Sequence, residues 1–336
     1  WEGWDWIGAY RHLPLSTWDD VTGVEIPHIQ EWVARPVFDE YWARVGITRR
    51  LEQINTPAVT VAGWYDVFAN HAVRTVAGLR ALGRRDQHLI IGPWGHDVAA
   101  ASEGRDFGPD AGADAFAGVE IGWFDHFAKG KPKPELAPYR IFVMGANEWR
   151  DESEWPLART AYTPYYLAGD GTGGRGRLRP ELPGAEPPDA YTYDPDDPVP
   201  TCGGAVLFDT PIGSYDQADL EARDDVLVYT SPPITDELEV TGPVKAVLYA
   251  ASDAPDTDWT AKLMDVYPDG RAYNLCDGVV RARYRNGDAP ASLTVPGRVY
   301  RYEIDCWVTS NVFLPGHRIR LHVSSSNFPR IDRNPN

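Results

Sequence analysis

The chain has 336 residues, with 32 Lys and Arg against 49 Asp and Glu, which gives a formal net charge of -17. Such an acidic chain repels phosphate backbones and anionic lipid, so we expect neither nucleic acid nor a membrane surface as a partner. The length indicates two domains or three small ones, and no apolar run approaches the roughly 20 residues of a membrane-spanning helix.

The cysteines and histidines indicate no metal or disulfide framework. Cys202, Cys276 and Cys306 have no CxxC spacing, and the eight histidines show neither HxH nor HxxxH spacing. Three unpaired cysteines fit small buried side chains better than disulfides or structural zinc. No glycine loop precedes a helix as phosphate binding requires, so no cofactor is predicted. The compartment stays open, with a cytoplasmic protein favoured over a secreted one.

Residues 1–50 have the pattern of short helices and loops, and the next stretch has the pattern of a strand, a helix and a strand. The apolar run Ala58–Ala62, between a proline and a glycine, predicts a buried parallel strand. Apolar residues at helical spacing over residues 72–79 predict a helix ending at Gly83. A second apolar run, His88–Gly92, completes a βαβ unit, which implies a parallel sheet covered by helices.

The pattern changes at the proline-rich segment 131–138, which follows a further amphipathic helix over 121–130. From residue 139 onward the signals are strands. Residues 300–306 and 317–323 alternate apolar and polar side chains, as half-buried strands do. We therefore predict an antiparallel sandwich or jelly roll. Residues 169–200 are rich in Gly and Pro, which predicts a long surface loop.

Polar side chains follow both strands of the predicted βαβ unit. The first strand ends in Gly-Trp-Tyr-Asp66 and the second in Gly-Pro-Trp-Gly-His96. Ligands and catalytic groups gather at the carboxyl ends of parallel strands, and Asp followed by His is the later part of the Ser…Asp…His order of α/β-hydrolases. There the His transfers a proton while the Asp fixes its tautomer. Spacing alone leaves a second interpretation open, in which Asp66 and His96 only cap turns.

A nucleophile is missing from this pattern. No GxSxG or GxCxG string occurs, and the nearest string, Ala100–Gly104, follows His96 in a predicted loop. We therefore expect the sequence to be a piece of a longer protein, whose missing N-terminal part is a partner of this chain.

Several strings resemble one family of serine hydrolases, which includes X-Pro dipeptidyl-peptidases, cocaine esterase and α-amino acid ester hydrolases. The resemblance covers residues from about 51 to the end, with strings that include TPAVTVAGWYDVF, LIIGPWGHD, FVMGANEWRDESEWP and RLHVSSSNFPRIDRNPN. It implies an α/β plus all-β fold. Residues 1–50 would be the remnant of a helical cap, 51–137 the second half of an α/β-hydrolase core, and 138–336 a jelly roll.

The resemblance also implies site residues. Asp66 takes the place of the triad acid and His96 that of the base, while Phe68, Leu207 and Phe208 take places that contact substrate. Packing between domains explains the last three residues equally well. The family's nucleophile lies in a GxSYxG elbow, and neither it nor the family's oxyanion-hole groups occur in this sequence.

The function expected from this resemblance is hydrolysis of an ester or amide bond, in a small molecule or short peptide, through an acyl-enzyme. The isolated chain is expected to be inactive. The alternative is a non-catalytic jelly-roll module that binds carbohydrate through exposed tryptophans or acts as a scaffold. Peptidase, esterase and acylase activities stay open, as does the oligomeric state.

Overall fold

A computed structural model of the chain describes residues 5–99, 102–169, 171, 174–207, 210–287 and 289–336. The helices are Trp6–Tyr10 (α1), Trp18–Thr22 (α2), Pro27–Val33 (α3), Glu40–Val45 (α4), Ala69–Ala81 (α5), Asp114–Lys129 (α6) and Ala218–Glu221 (α7). The strands are Ala58–Gly63 (β1), Gln87–Gly92 (β2), Tyr139–Val143 (β3), Glu148–Glu152 (β4), Tyr166–Ala168 (β5), Arg175–Arg179 (β6), Leu227–Thr230 (β7), Leu238–Ala250 (β8), Asp258–Val266 (β9), Ala272–Arg281 (β10), Tyr300–Phe313 (β11) and Arg318–Ser324 (β12). None of the helices within these ranges is both long enough and apolar enough to cross a bilayer.

The first 50 residues form short helices because local signals end each one early. Gly23 terminates α2 in the left-handed conformation, with φ of 65°, and Pro27 begins α3. Asp39 caps α4, since its carboxylate accepts hydrogen bonds from the backbone N–H groups of Tyr41 and Trp42. These helices precede the first sheet and pack largely through their aromatic side chains.

The predicted βαβ unit is confirmed. Strands β1 and β2 pair in parallel, from Ala58 opposite Gln87 to Gly63 opposite Gly92, and α5 connects them. One face of α5 is buried on the sheet through Val73, Val76 and Leu79. The chain then leaves the helix at Gly83, whose φ of 82° favours glycine.

The first sheet has four strands in the order β1-β2-β3-β4, which differs from the sequence prediction. The sequence places every strand after residue 138 in the sandwich, yet β3 pairs in parallel with β2, and β4 pairs antiparallel with β3. The physical reason lies in a continuous apolar run, in which Ile141, Phe142, Val143 and Met144 are all 0% exposed. Burial on both faces is typical of a strand inside a parallel sheet covered by other layers.

The remaining strands form the all-β part of the molecule. Six of them make one sheet in the order β10-β9-β12-β7-β6-β5, and β11 pairs antiparallel with β8. The alternation predicted for residues 300–306 is present, because Tyr302, Ile304 and Cys306 are buried whereas the residues between them are exposed. The prediction of an uninterrupted loop over 169–200 is wrong, since β6 lies within it and pairs in parallel with β7.

The two parts share one hydrophobic core, which contains Ile91 and Phe142 from the first sheet and Leu263 and Ile304 from the sandwich. Backbone hydrogen bonds also cross between them. The N–H of Met144, just after β3, donates to the carbonyl of Ser310 at 3.0 Å, and the N–H of Val312 donates to the carbonyl of Met144 at 2.7 Å. The sandwich is therefore joined to the end of β3 by strand-like pairing as well as by packing.

A buried histidine in β2 gives the fold an acid sensitivity. Burial lowers the pKa of His88 below its ordinary value of 6.5, although its Nδ1 lies 2.9 Å from the carbonyl oxygen of Ala137. The unfolded chain therefore binds a proton that the folded chain rejects, and this contribution to stability, present above pH 6.5, is lost as the pH falls.

We expect the free energy of unfolding to fall between pH 7 and about pH 5 and to fall less steeply in a His88→Gln variant. Urea unfolding at a series of pH values measures both slopes. The exposed His71→Gln serves as the matched control. An identical pH slope for wild type and His88→Gln would contradict the assignment.

Candidate active site

A hydrogen bond to the backbone carbonyl of Trp94 joins the turns that follow β1 and β2. Gly63 and Gly92 are paired in the β1–β2 register, and beyond them the N–H of Tyr65 donates to the carbonyl oxygen of Trp94 at 2.9 Å. A Cβ on Gly63 would lie 2.0 Å from that same oxygen, and one on Gly92 would lie 2.4 Å from the Trp94 ring. Both strands must therefore end in glycine for the turns that follow them to meet.

Asp66 and His96 come together at these turns. The Nδ1 of His96 lies 3.2 Å from Oδ2 and 3.3 Å from Oδ1 of Asp66. The Asp66 side chain is 9% exposed, whereas that of His96 is 53% exposed. Asp66 Oδ1 also accepts a hydrogen bond from the N–H of Phe68 at 2.9 Å. The Asx turn that offered an alternative interpretation of Asp66 is thus present together with the histidine pairing, and it orients the carboxylate.

Asp66 and His96 are oriented as general acid–base chemistry requires, with the carboxylate on one ring nitrogen and the other ring nitrogen open. A buried carboxylate bound to Nδ1 favours the tautomer with the proton on that nitrogen, which leaves Nε2 as the proton acceptor. Among the described residues, no side chain or backbone group is hydrogen-bonded to Nε2 of His96, and the ring reaches solvent. The site can therefore accept a proton from a group placed on its open side.

The three predicted substrate contacts differ in how close they lie to His96. Phe68 is 52% exposed and packs edge-on against His96, with 5.3 Å between ring centroids. Leu207 lines a cleft of about 490 Å³ together with Val67, which is the neighbour of Asp66. Phe208 lies outside the described residues. Phe68 thus contacts His96 directly, whereas Leu207 lines a neighbouring cleft that reaches Val67 but not His96.

Two residues that the sequence analysis did not single out hold this site together. Trp94 is 0% exposed, and its indole Nε1 donates to the carbonyl of Ala111. Tyr65 is fully buried and its hydroxyl donates to the carbonyl of Asn274 at 3.1 Å. Burial raises the pKa of Tyr65, so the hydroxyl keeps the proton that it donates. The sequence signal that could have indicated the role of Trp94 is the glycine at the end of each strand, because Gly63 and Gly92 leave the space that Trp94 fills.

The described residues contain no group of three or more His, Cys, Asp and Glu side chains arranged to hold a metal ion. The four tryptophans from residue 139 onward, at positions 149, 155, 259 and 307, are each buried or half-buried.

Two family profiles match the chain. That of the X-Pro dipeptidyl-peptidase C-terminal non-catalytic domain matches residues 134–336, and that of the X-Pro dipeptidyl-peptidase S15 family matches residues 7–97. Asp66 and His96 fall within the second match.

Curated relatives are esterases. The chain is 45% identical over 344 residues to the cocaine esterase of Rhodococcus sp. (strain MB1 Bresler), a match that covers 99% of this chain and 59% of that protein. It is 29% identical to a putative serine esterase of Mycobacterium bovis, over 85% of this chain and 46% of the relative. The chain thus spans about half the length of the curated relatives it matches.

Solved structures share the fold. An aminopeptidase from a marine sediment archaeon of the Thaumarchaeota is 29% identical and superposes with a TM-score of 0.83, covering 100% of this chain and 58% of its own. An α-amino acid ester hydrolase, at 24% identity and the same TM-score of 0.83, covers 97% of this chain and 57% of its own. The architecture is that of part of an α/β-hydrolase core followed by an all-β jelly roll, as the sequence predicts. The chain belongs to the X-Pro dipeptidyl-peptidase family of serine hydrolases, together with the cocaine esterase of Rhodococcus.

Proposed function

We propose that this chain provides the acid and the base of a serine hydrolase that cleaves ester or amide bonds through an acyl-enzyme. The observation that carries the proposal is the pairing of buried Asp66 with Nδ1 of the solvent-facing His96. The sequence contains no GxSxG string, so the serine nucleophile would come from outside these 336 residues.

In the proposed reaction, Nε2 of His96 takes the proton of the serine hydroxyl as its oxygen attacks the substrate carbonyl. The leaving alcohol or amine then receives that proton from Nε2, and water repeats the sequence to release the acid. Asp66 remains a carboxylate throughout and stabilises the imidazolium that forms twice in each turnover. The chain alone lacks the attacking atom, so we propose that it is inactive in isolation.

The surroundings of the pair support small, partly apolar substrates. Phe68 offers an exposed ring beside His96, and the cleft that begins at Val67 is lined further by Leu207 and Trp307. Its volume of about 490 Å³ lies within the range of small-molecule sites. We propose Phe68 and Leu207 as substrate contacts, with Phe208 as a third contact by resemblance alone.

A chimera tests this proposal. The part of the Rhodococcus cocaine esterase that lies outside the match, 41% of that protein (100% minus 59%), would be joined to this chain. We expect the chimera to hydrolyse a nitrophenyl ester and to be labelled by a fluorophosphonate probe, since it restores the serine to the acid–base pair. The 336-residue chain alone should do neither.

The contrary results are equally clear. Turnover by the isolated chain that disappears in His96→Ala would show that the nucleophile lies within it. If folded chimeras with His96 and with His96→Ala reacted with the probe at the same rate, His96 would not be the base that activates the serine. A match in unfolding temperature between the variants would show that both are folded.

A further inference from the structure

The segment after His96 is anchored to the sandwich by an arginine at the centre of a buried polar cluster. Arg105 follows His96 by nine positions, and its side chain is 1% exposed. It faces Asp265 of β9, which is 0% exposed, with 3.7 Å between Nη2 and Oδ2. A buried arginine and carboxylate need further hydrogen-bonding groups. Such groups are present around Nη2 of Arg105, whereas its buried Nη1 has no hydrogen-bond partner among the described residues.

Those further groups belong to the sandwich. Arg105 Nη2 also donates to Oδ1 of Asn311 in β11, and the amide of Asn311 donates to Asp265 at 3.4 Å. Nδ1 of His317 lies 2.8 Å from Oδ1 of Asp265. The guanidinium therefore enters a site built by three residues that are themselves buried, on strands β9 and β11 and just before β12.

The backbone around Arg105 is fixed to the sandwich as well. The N–H of Glu103 donates to the carbonyl of Ser214 at 3.0 Å, and the hydroxyl of Tyr273 donates to the carbonyl of Gly104 at 2.8 Å. Ser102 forms a parallel bridge with Ser214. Glu103, Gly104 and Arg105 thus have hydrogen-bond partners in the sandwich at consecutive positions.

The other end of this segment is the turn that carries His96. Gly95 packs against Ile212, since a Cβ at position 95 would lie 2.4 Å from Cγ2 of that residue. The turn is narrow, with the N–H of Val98 directed to the carbonyl of Gly95 at 3.3 Å and a φ of 58° at Val98. A strained turn persists only where the structure on both sides holds it.

We infer that Arg105 is a positioning residue that helps hold His96 against Asp66, because it locks residues 102–105 into the sandwich. The inference rests on the proposed function, in which His96 is the base. It states that His96 is held in place by residues 134–336, the part that matches the family's non-catalytic domain. It predicts that Arg105 controls the geometry of the Asp66–His96 pair through its anchor in the sandwich, without itself touching substrate.

The test uses the 336-residue chain and a signal that needs no nucleophile. Histidine-selective ¹⁵N labelling identifies the Nδ1 proton of His96 bound to Asp66, with His96→Gln for assignment. We expect Arg105→Met to accelerate exchange of that proton with solvent by about tenfold, as a modest loss of coupling would. Arg105→Lys, which keeps the charge but not the fork of donors, should fall between Arg105→Met and wild type.

A matched control separates positioning from general stability. Arg281 also pairs with a buried carboxylate, Asp258, at 2.8 Å, but lies wholly within the sandwich. Arg281→Met should leave the His96 signal unchanged. Equal effects of Arg105→Met and Arg281→Met on that signal would overturn the inference.

A milder variant covers the case in which Arg105→Met does not fold. Tyr273→Phe removes the hydroxyl bound to Gly104 and should move the His96 signal in the same direction by a smaller amount. The inference would also be overturned if Tyr273→Phe and Arg105→Lys both folded and neither changed the His96 signal. An inactive chimera with the expected signal changes would instead reject the proposed function while leaving the positioning role intact.

Discussion

Replacing His96 by alanine in the chimera is expected to lower kcat for ester hydrolysis by about 10⁴-fold or more, with a much smaller change in KM. The serine hydroxyl then has no base to take its proton, while binding and oxyanion stabilisation remain. Asp66→Asn should cause a loss of about the same order, because an amide bound to Nδ1 favours the wrong imidazole tautomer. Steady-state kinetics on each purified chimera measure both effects.

The exposed His71→Ala provides the matched control for these variants, since it removes a histidine from α5 without touching the pair. It should retain the wild-type kcat. Combining His96→Ala with Asp66→Asn should cost little beyond the larger single effect, because the two residues act as one unit. Additive losses in the double variant would show that Asp66 contributes by a route other than His96.

Substituting Gly63 by alanine should have the largest effect on stability in the first sheet. The new Cβ would meet the Trp94 carbonyl oxygen at 2.0 Å, and that oxygen is fixed by its hydrogen bond to Tyr65. The turns must separate to relieve this contact, and we expect a loss of about 3 kcal/mol in the free energy of unfolding. Because the same turns carry Asp66 and His96, the chimera with Gly63→Ala should also lose most of its kcat.

Gly118 in α6 is the control for the glycine substitution. Nothing lies within 4 Å of the Cβ position there, and the residue is helical and exposed. Gly118→Ala should therefore leave activity unchanged and stabilise the chain by about 0.5–1 kcal/mol. Urea unfolding of the two variants compares them directly, and equal free energies of unfolding would refute the role of Gly63.

The sequence predicts those parts of the fold that depend on local periodicity. The buried face of α5, with Val73, Val76 and Leu79, and the alternation around Ile304 both follow from side-chain spacing. The pairing of Asp66 with His96 was accessible for the same reason, since each residue lies just beyond a predicted strand and parallel strands align their ends.

Long-range pairing explains what the sequence patterns miss. The apolar run around Phe142 is compatible with a strand buried on both faces, but its pairing partner β2 is set by tertiary structure. Arg105 and Asp265 are 160 positions apart (265 minus 105), and nothing in either neighbourhood indicates that an arginine from a loop will enter the sandwich. Leu207 shares a cleft with Val67 through tertiary packing alone.

The backbone pairing between Met144 and β11 bears on how such proteins can diversify. A protein assembled from separable units can exchange one of them by recombination, because few contacts cross the boundary. Here Met144, which follows β3 of the first sheet, is hydrogen-bonded to β11 of the sandwich, and one core serves both parts. A crossover just after β4, at the boundary between the first sheet and the sandwich, would bring together halves that had never adapted to each other. The two parts are therefore expected to have been inherited as a pair, with substrate range changing through the loops and helices around them.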